Sequence, residues 1–307
     1  MKGALRRAAA VLAACLAGVP FAVAPAPAAA RALSRAVLGE LAYEGVLEEG
    51  GPVRLHGGRW VGARPEPGLA SRPTVTLLPF LIARGDLDGD GREDAVVFLQ
   101  SSYGGSGSFL HLSAVLDRPE GPRPLPAQAI GDRAEVEALE VVAGRVVLDA
   151  VVSGPADALC CPSQRIRRVF AVTGEALEEK QYETRGRLHA RALAGTRWRL
   201  TRLDAGTPVP DDAGIELRFE GRQVTGSGGC NDFRADVVAG ERDAFEVGTL
   251  ETTARACPPP VMDRERRFFE ALDRASRLGF WFGRLEIQYD TPQRRTGRLR
   301  LAPVAPG

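Results

Sequence analysis

Two glycines, a cysteine and an asparagine in a row, Gly228-Gly229-Cys230-Asn231, constrain this chain more than any other feature. Asn231 is the sole asparagine of the sequence, and downstream the run is answered by Thr253-Ala254-Arg255-Ala256-Cys257 and an amphipathic segment. Glycine and asparagine tolerate a left-handed backbone, so the run predicts a sharp corner at the end of a strand. Thiols on either side of such a corner can meet across a small sheet. A structural Cys230–Cys257 disulfide is the expected state, with free buried thiols and a reactive thiol as the alternatives.

The first thirty residues read as an export leader. Lys2, Arg6 and Arg7 form a basic start, an apolar stretch runs from Ala8 to Ala24, and Ala28-Ala29-Ala30 offers a cleavage site. Leu12-Ala13-Ala14-Cys15 offers a second reading, a lipobox that would tether the chain by a lipid on Cys15. The two arginines just before it and the apolar residues after it favour ordinary cleavage. Export predicts a periplasmic or secreted protein (lipid-anchored to the envelope in the alternative) in an oxidising compartment. Cys160, Cys161, Cys230 and Cys257 can then pair in three ways. For the adjacent Cys160 and Cys161, a bond to each other closes only a small strained ring. The expectation is that at least one pairs elsewhere or stays buried and free.

Charge excludes some partners. Forty Lys and Arg stand against 39 Asp and Glu, for a formal net charge of +1. The basic residues are almost all arginine and are spread along the chain, which is not the clustered footprint of a nucleic-acid binder. No second hydrophobic span follows the leader, so no transmembrane span is expected in the mature chain.

Alternation of apolar and polar residues predicts a mainly β (α+β) protein of two antiparallel domains. The expected boundaries are an N-terminal β-rich domain over 31–182, a polar linker over 183–191 and a second domain over 192–304. In the second, Trp198 and Leu200, then Ile215, Leu217 and Phe219, then Leu285, Ile287 and Tyr289, then Leu299 and Leu301 mark strands. One helix is expected there, opened by Pro258-Pro259-Pro260, striped by Val261, Glu265, Phe268, Phe269, Leu272 and Ala275, and closed by Gly279. The first domain is expected to hold a short helix over 32–41 and strands near 53–55, 74–78, 95–99, 109–116, 135–142, 145–152 and 165–172. The proline-rich stretch 119–126 reads as a surface loop.

The sharpest chemical pattern of the first domain is Asp86-Leu87-Asp88-Gly89-Asp90-Gly91-Arg92-Glu93-Asp94. Alternate carboxylates on a glycine bend can converge on one hard cation, and calcium takes such oxygens. Asp86, Asp88, Asp90 and Asp94 would contribute side chains and Arg92 its carbonyl; the alternative is a bare acidic turn. The loop resembles the calcium loops of FG-GAP segments. Tyr103-Gly104-Gly105-Ser106-Gly107-Ser108 follows a strand and precedes another, so a hairpin is expected rather than a phosphate cradle. No nucleophile elbow, zinc-protease helix or Walker loop is present, and a non-enzyme is expected.

Four ordered motifs of the second domain resemble the META domain family. They are Gly195-Thr196-Arg197-Trp198; Gly226-Ser227-Gly228-Gly229-Cys230-Asn231-Asp232-Phe233; Thr253 with Cys257; and a helix with Glu265 and Phe268. The resemblance departs at Ala235 and Val237, where the family often has Gly and Tyr. The acidic loop and glycine hairpin resemble the region that precedes META domains in some exported bacterial proteins. The resemblance implies an antiparallel β fold with one packed helix, and association with the bacterial cell envelope, stress response or antibiotic tolerance. It carries no catalytic residues. The expected function is a binding or stability module with an envelope protein or ligand as partner; the alternative is a secreted inhibitor of a hydrolase such as a lysozyme or protease.

Overall fold

The computed structural model describes residues 33–48, 51–63, 72–158, 160–204, 206–239 and 243–305. The export leader and Cys15 lie outside the described residues. The described residues are mostly antiparallel strands, with two α-helices. Among them, no helix is long and apolar enough to cross a membrane.

The N-terminal half opens with one helical turn, α1 (Arg35–Leu38), followed by β1 (Ala42–Tyr43) paired with β2 (Val53–Arg54). The helix expected over 32–41 stops early because the chain passes close to itself. A Cβ at Gly39 would stand 2.9 Å from the Gly58 nitrogen. Next come β3 (Arg59–Val61), β4 (Thr74–Gly85), β5 (Asp94–Ser102), β6 (Phe109–Arg118), β7 (Gly121–Pro124) and β8 (Gln128–Asp132). They form one sheet in the order β3-β4-β5-β6-β7, with β8 also on β6.

Strand β5 is buried on both faces, which explains the unbroken apolar run 95–99. Tyr43, Leu55 and Leu99 pack on one side of the sheet, and Phe98, Leu112, Leu148 and Phe170 on the other. β4 continues past Leu78, where it was expected to end, because a bulge absorbs Pro79. The register jumps from Leu78 opposite Phe98 to Ala83 opposite Val96, so the missing proline donor falls outside the ladder. The stretch 119–126 is not wholly a loop: it contains β7, an edge strand, where proline is tolerated.

A second sheet of four strands, in the order β12-β11-β10-β9, packs on the first. Its strands are β9 (Glu135–Val142), β10 (Arg145–Val152), β11 (Gln164–Thr173) and β12 (Ala176–Arg187). Apolar alternation does not reveal β12, because nearly all of it is exposed and charged, the composition that guards a sheet edge. The polar stretch 183–191 is therefore structured. It holds the end of β12, the fully buried Leu188 and the start of a 3-10 turn, Ala190–Leu193.

The C-terminal half comprises β13 (Arg197–Leu203), β14 (Thr207–Pro208), β15 (Ile215–Glu220), β16 (Gln223–Gly228), β17 (Asp232–Ala239), β18 (Phe245–Val247) and β19 (Glu251–Thr252). Helix α2 (Pro259–Asp273) and strands β20 (Ala275–Trp281), β21 (Arg284–Asp290) and β22 (Thr296–Pro303) complete it. The main path runs β18-β17-β16-β15-β13-β22-β21-β20. Its two ends meet: Ala244 bridges Arg277, and the Leu278 N–H donates to the Asp243 carbonyl at 2.8 Å. The sheet thus curls into a barrel, which satisfies edges that an open sheet would leave bare. Leu217, Phe219, Phe245, Leu278, Ile287 and Leu299 belong to its core, and α2 packs on that core with Phe268, Ala271 and Leu272.

Helix α2 ends at Asp273, short of the expected stop at Gly279. Leu278 and Phe280 enter the core as strand residues instead. Gly279 serves a different purpose: a Cβ there would stand 2.8 Å from a Glu135 carboxylate oxygen. That close approach is part of the seam between the halves. The Phe280 N–H donates to Glu135 at 2.8 Å, and the Gly283 N–H donates to the Val136 carbonyl at 3.0 Å. The β20–β21 turn, Phe282 (φ 46°) and Gly283 (φ 77°), carries the Phe282 ring to 5.7 Å from Phe98. Residues Arg31–Gly307 consequently form one compact unit.

The seam is expected to respond to pH. Burial pushes the Glu135 carboxyl up from 4.5 to about 7; the Phe280 N–H and Arg277 pull it down, while Asp243 and Glu286 push it up. A carboxyl raised in the folded state leaves stability intact below its unfolded value of 4.5 and erodes it as pH rises through about 7. Denaturant unfolding across that window should show a loss of up to about 3 kcal/mol from this group. Glu135→Gln should remove that part of the slope; an identical pH profile in the variant would show that Glu135 does not titrate there.

Candidate functional site

The corner at Asn231 is built as a latch. Glu265, on the apolar stripe of α2, is almost fully buried and turns its carboxylate on the corner. Oε2 accepts the N–H groups of Cys230 (3.1 Å) and Asn231 (2.6 Å), and Oε1 accepts the Asn231 amide at 2.8 Å. Asn231 Oδ1 in turn accepts the Thr253 hydroxyl at 2.9 Å and the Arg255 N–H at 2.6 Å. A buried carboxylate without a cation beside it is tolerable because three N–H donors converge on it. Gly229 takes φ 101°, and a Cβ there would stand 2.7 Å from the Ala213 carbonyl, so the corner needs glycine.

The remaining motif residues brace this latch. Phe233 packs on Phe268 with ring centroids 5.8 Å apart, and the Trp198 indole N–H donates to Thr196 at 2.7 Å. Sulfurs of Cys230 and Cys257 are bonded, with Cα atoms 6.0 Å apart. Loop closure by that bridge contributes roughly 3.5 kcal/mol on a chain-entropy estimate. Cys160 and Cys161 are bonded to each other, correcting the expectation that at least one pairs elsewhere or stays buried and free.

Of the acidic loop, Asp86, Asp88 and Asp94 place ligand atoms within 4.8 Å of one another. Asp86 accepts the N–H groups of Gly89 (2.7 Å) and Gly91 (2.9 Å), and Asp94 those of Leu87 (2.9 Å) and Asp117 (2.8 Å). Burial, followed by the charges of Asp88 and Asp90, pushes the Asp94 carboxyl above the usual range despite those bonds. Asp90 stands outside that group of carboxylates and faces Arg118 at 3.7 Å, while the Arg92 guanidinium faces Asp117 at 3.3 Å. Arg118 also reaches Asp88 at 2.8 Å. The hairpin at 103–108 joins β5 to β6 with no helix after it, which removes the geometry of a phosphate cradle.

Sequence reading missed a shallow groove of about 580 Å³ on the outside of the barrel. Cross-strand register explains it. Arg218, Thr225, Arg234 and Glu251 stand opposite one another in one row, and Glu216, Ser227 and Asp232 in the next. Between the rows Gly226, opposite the buried Leu217 and Phe233, has no room for a side chain: a Cβ there would collide with the Glu216 carbonyl. Arg234 pairs with Glu251 at 2.6 Å and Arg255 with Asp232, whereas Arg218 reaches Glu216 only at 3.9 Å. The period-two spacing of these polar residues was the available signal.

One Ser–His contact is buried in the N-terminal half. Ser101 Oγ lies 2.9 Å from His111 Nε2, and burial holds the imidazole pKa below its ordinary value. Ser101 is fully buried and His111 Nδ1 has no partner among the described residues, so no acid orients the ring as a base.

Comparison with known proteins follows the same division. No curated protein matches the chain. An NMR structure of a protein from Burkholderia xenovorans is similar over 38% of this chain and 87% of that one, at 20% identity and a TM-score of 0.31. The META domain family model matches residues 191–300, a span that contains the corner, the latch helix and the groove. The C-terminal part of this chain is a META domain.

Proposed function

We propose that this is an exported, non-enzymatic envelope protein whose META barrel binds a segment of a partner protein in the groove across β15, β16 and β17. One observation supports the reading above others: the family-motif residues Asn231, Thr253, Glu265 and Phe268 are consumed in holding the fold, while the half-exposed groove residue Thr225 takes no part in that latch. Arg218, with only a long contact to Glu216, is the groove cation most available to a partner. A half-exposed hydroxyl and paired charges on a rigid barrel suit a polar peptide, because little ordering is required on the protein's side. A role in envelope stress or antibiotic tolerance would follow from which partner is held.

Pull-down from envelope extract tests this. Wild type should retain a specific protein that Thr225→Arg, which fills the groove, releases. Equal recovery by both, or no specific protein, would contradict the reading.

A calcium ion at Asp86, Asp88 and Asp94 belongs to the same proposal as a brace for β5. The donor set fits: three carboxylates, hard oxygens and a strand beginning at Asp94. The ion would neutralise charges that Arg118 now offsets alone at Asp88 and Asp90. At calcium about a hundredfold above its dissociation constant, stability should rise by ~2.7 kcal/mol. Chelator should reverse the rise and Asp88→Asn should abolish it; a melting temperature indifferent to calcium identifies the loop as a bare turn.

A further inference from the structure

The segment between β10 and β11 carries a disulfide between adjacent residues, Cys160 and Cys161. Their Cα atoms are 3.8 Å apart, shorter than the roughly 4.4–6.8 Å that bridges usually span, a mismatch that makes such a bond easier to reduce. A bridge this short restrains only its own two residues, so it removes little entropy from the unfolded chain. Folding gains little from it.

Nor does the segment need it to hold its shape. The Asp157 side chain is fully buried at the base. Its Oδ2 accepts the N–H groups of Gly154 (2.9 Å) and Ser163 (2.7 Å). Its Oδ1 accepts the Ser163 hydroxyl at 2.8 Å and an Arg187 guanidinium N–H at 3.2 Å. The Cys161 N–H donates to the Ala158 carbonyl at 2.9 Å. None of these bonds involves a sulfur. Access differs as well: Cys160 is exposed and Cys161 half-buried, whereas Cys230 is buried and Cys257 half-buried, so only the first bridge has an exposed sulfur-bearing residue.

We propose that Cys160 and Cys161 form a thiol–disulfide exchange site that accepts two electrons from dithiol reductants while the Cys230–Cys257 bridge stays closed. A reductant thiolate attacks the exposed Cys160 sulfur, the Cys160–Cys161 bond breaks, and Cys161 leaves as a thiolate that takes up a proton. The reductant's second thiolate then attacks its own sulfur in the mixed disulfide. Cys160 is released and protonated, and the reductant departs as a disulfide. Exposure selects the site; the Asp157 staple keeps the two thiols adjacent for reoxidation.

The test uses the full chain, titrated with dithiothreitol, quenched by alkylation and mapped by peptide mass spectrometry. Cys160 and Cys161 should become labelled at a dithiol concentration at least about tenfold lower than Cys230 and Cys257. The melting temperature should be unchanged at that point. The selectively reduced form should bind one equivalent of phenylarsine oxide, and Cys160→Ser should not. Labelling of all four cysteines together, labelling of this pair without reductant, or a fall in melting temperature on its reduction would overturn the proposal.

Discussion

Glu265→Ala should lower the stability of the META domain by about 4 kcal/mol, the largest effect expected of any single substitution here. The substitution leaves the buried N–H groups of Cys230 and Asn231 without acceptors and the Asn231 amide with only the Arg255 carbonyl, at 3.3 Å. Each orphaned buried donor costs about 1–3 kcal/mol, and none can reach water while α2 stays docked. Glu265→Gln keeps the shape and one oxygen, so its loss should be roughly half. A double-mutant cycle with Asn231→Ala should show strong coupling, since the Asn231 amide donates to the Glu265 carboxylate inside one buried network. Denaturant midpoints supply the measurement. If Glu265→Ala loses no more than an exposed substitution on α2 such as Arg266→Ala, the latch does not hold the corner.

Phe282→Ala should cost about 3 kcal/mol and divide the cooperative unit. The Phe282 ring lies 5.7 Å from Phe98, in the core of the other half of the molecule, and 5.5 Å from the exposed Phe80. It is held at a φ of 46°, where a bulky residue persists only if packing demands it. Removing the ring leaves the seam to Glu135, Val136 and the tilted Trp281–Phe80 ring pair. Calorimetry of the wild type should show one transition across both halves, and the variant two. A single transition at the wild-type temperature would mean that Phe282 does not couple them.

The family motif was legible as a corner because Gly229 and Asn231 are the residue types a corner needs, and Cys257 gave the second anchor. Its strands were legible wherever alternation was strict, as at Ile215, Leu217 and Phe219. What alternation could not supply was tertiary. Glu265 looks like one member of a helical stripe, and only the fold reveals that its carboxylate is aimed at three donors. β12 hid because an exposed edge strand has no buried face to produce a pattern. Ala275 to Gly279 carries helix-like spacing, and it became strand because Leu278 and Phe280 complete the barrel. The groove escaped notice for a related reason: its residues lie on three strands and meet only through register.

Amide hydrogen exchange at Cys230 and Asn231 measures the latch where it acts. Both N–H groups point at a buried carboxylate, so they should be among the slowest of the META domain and exchange only when the domain unfolds globally. Exchange as fast as that of the exposed Gly104 and Gly105 amides would contradict a closed corner and, with it, the assignment of the motif residues to structure and the groove to binding.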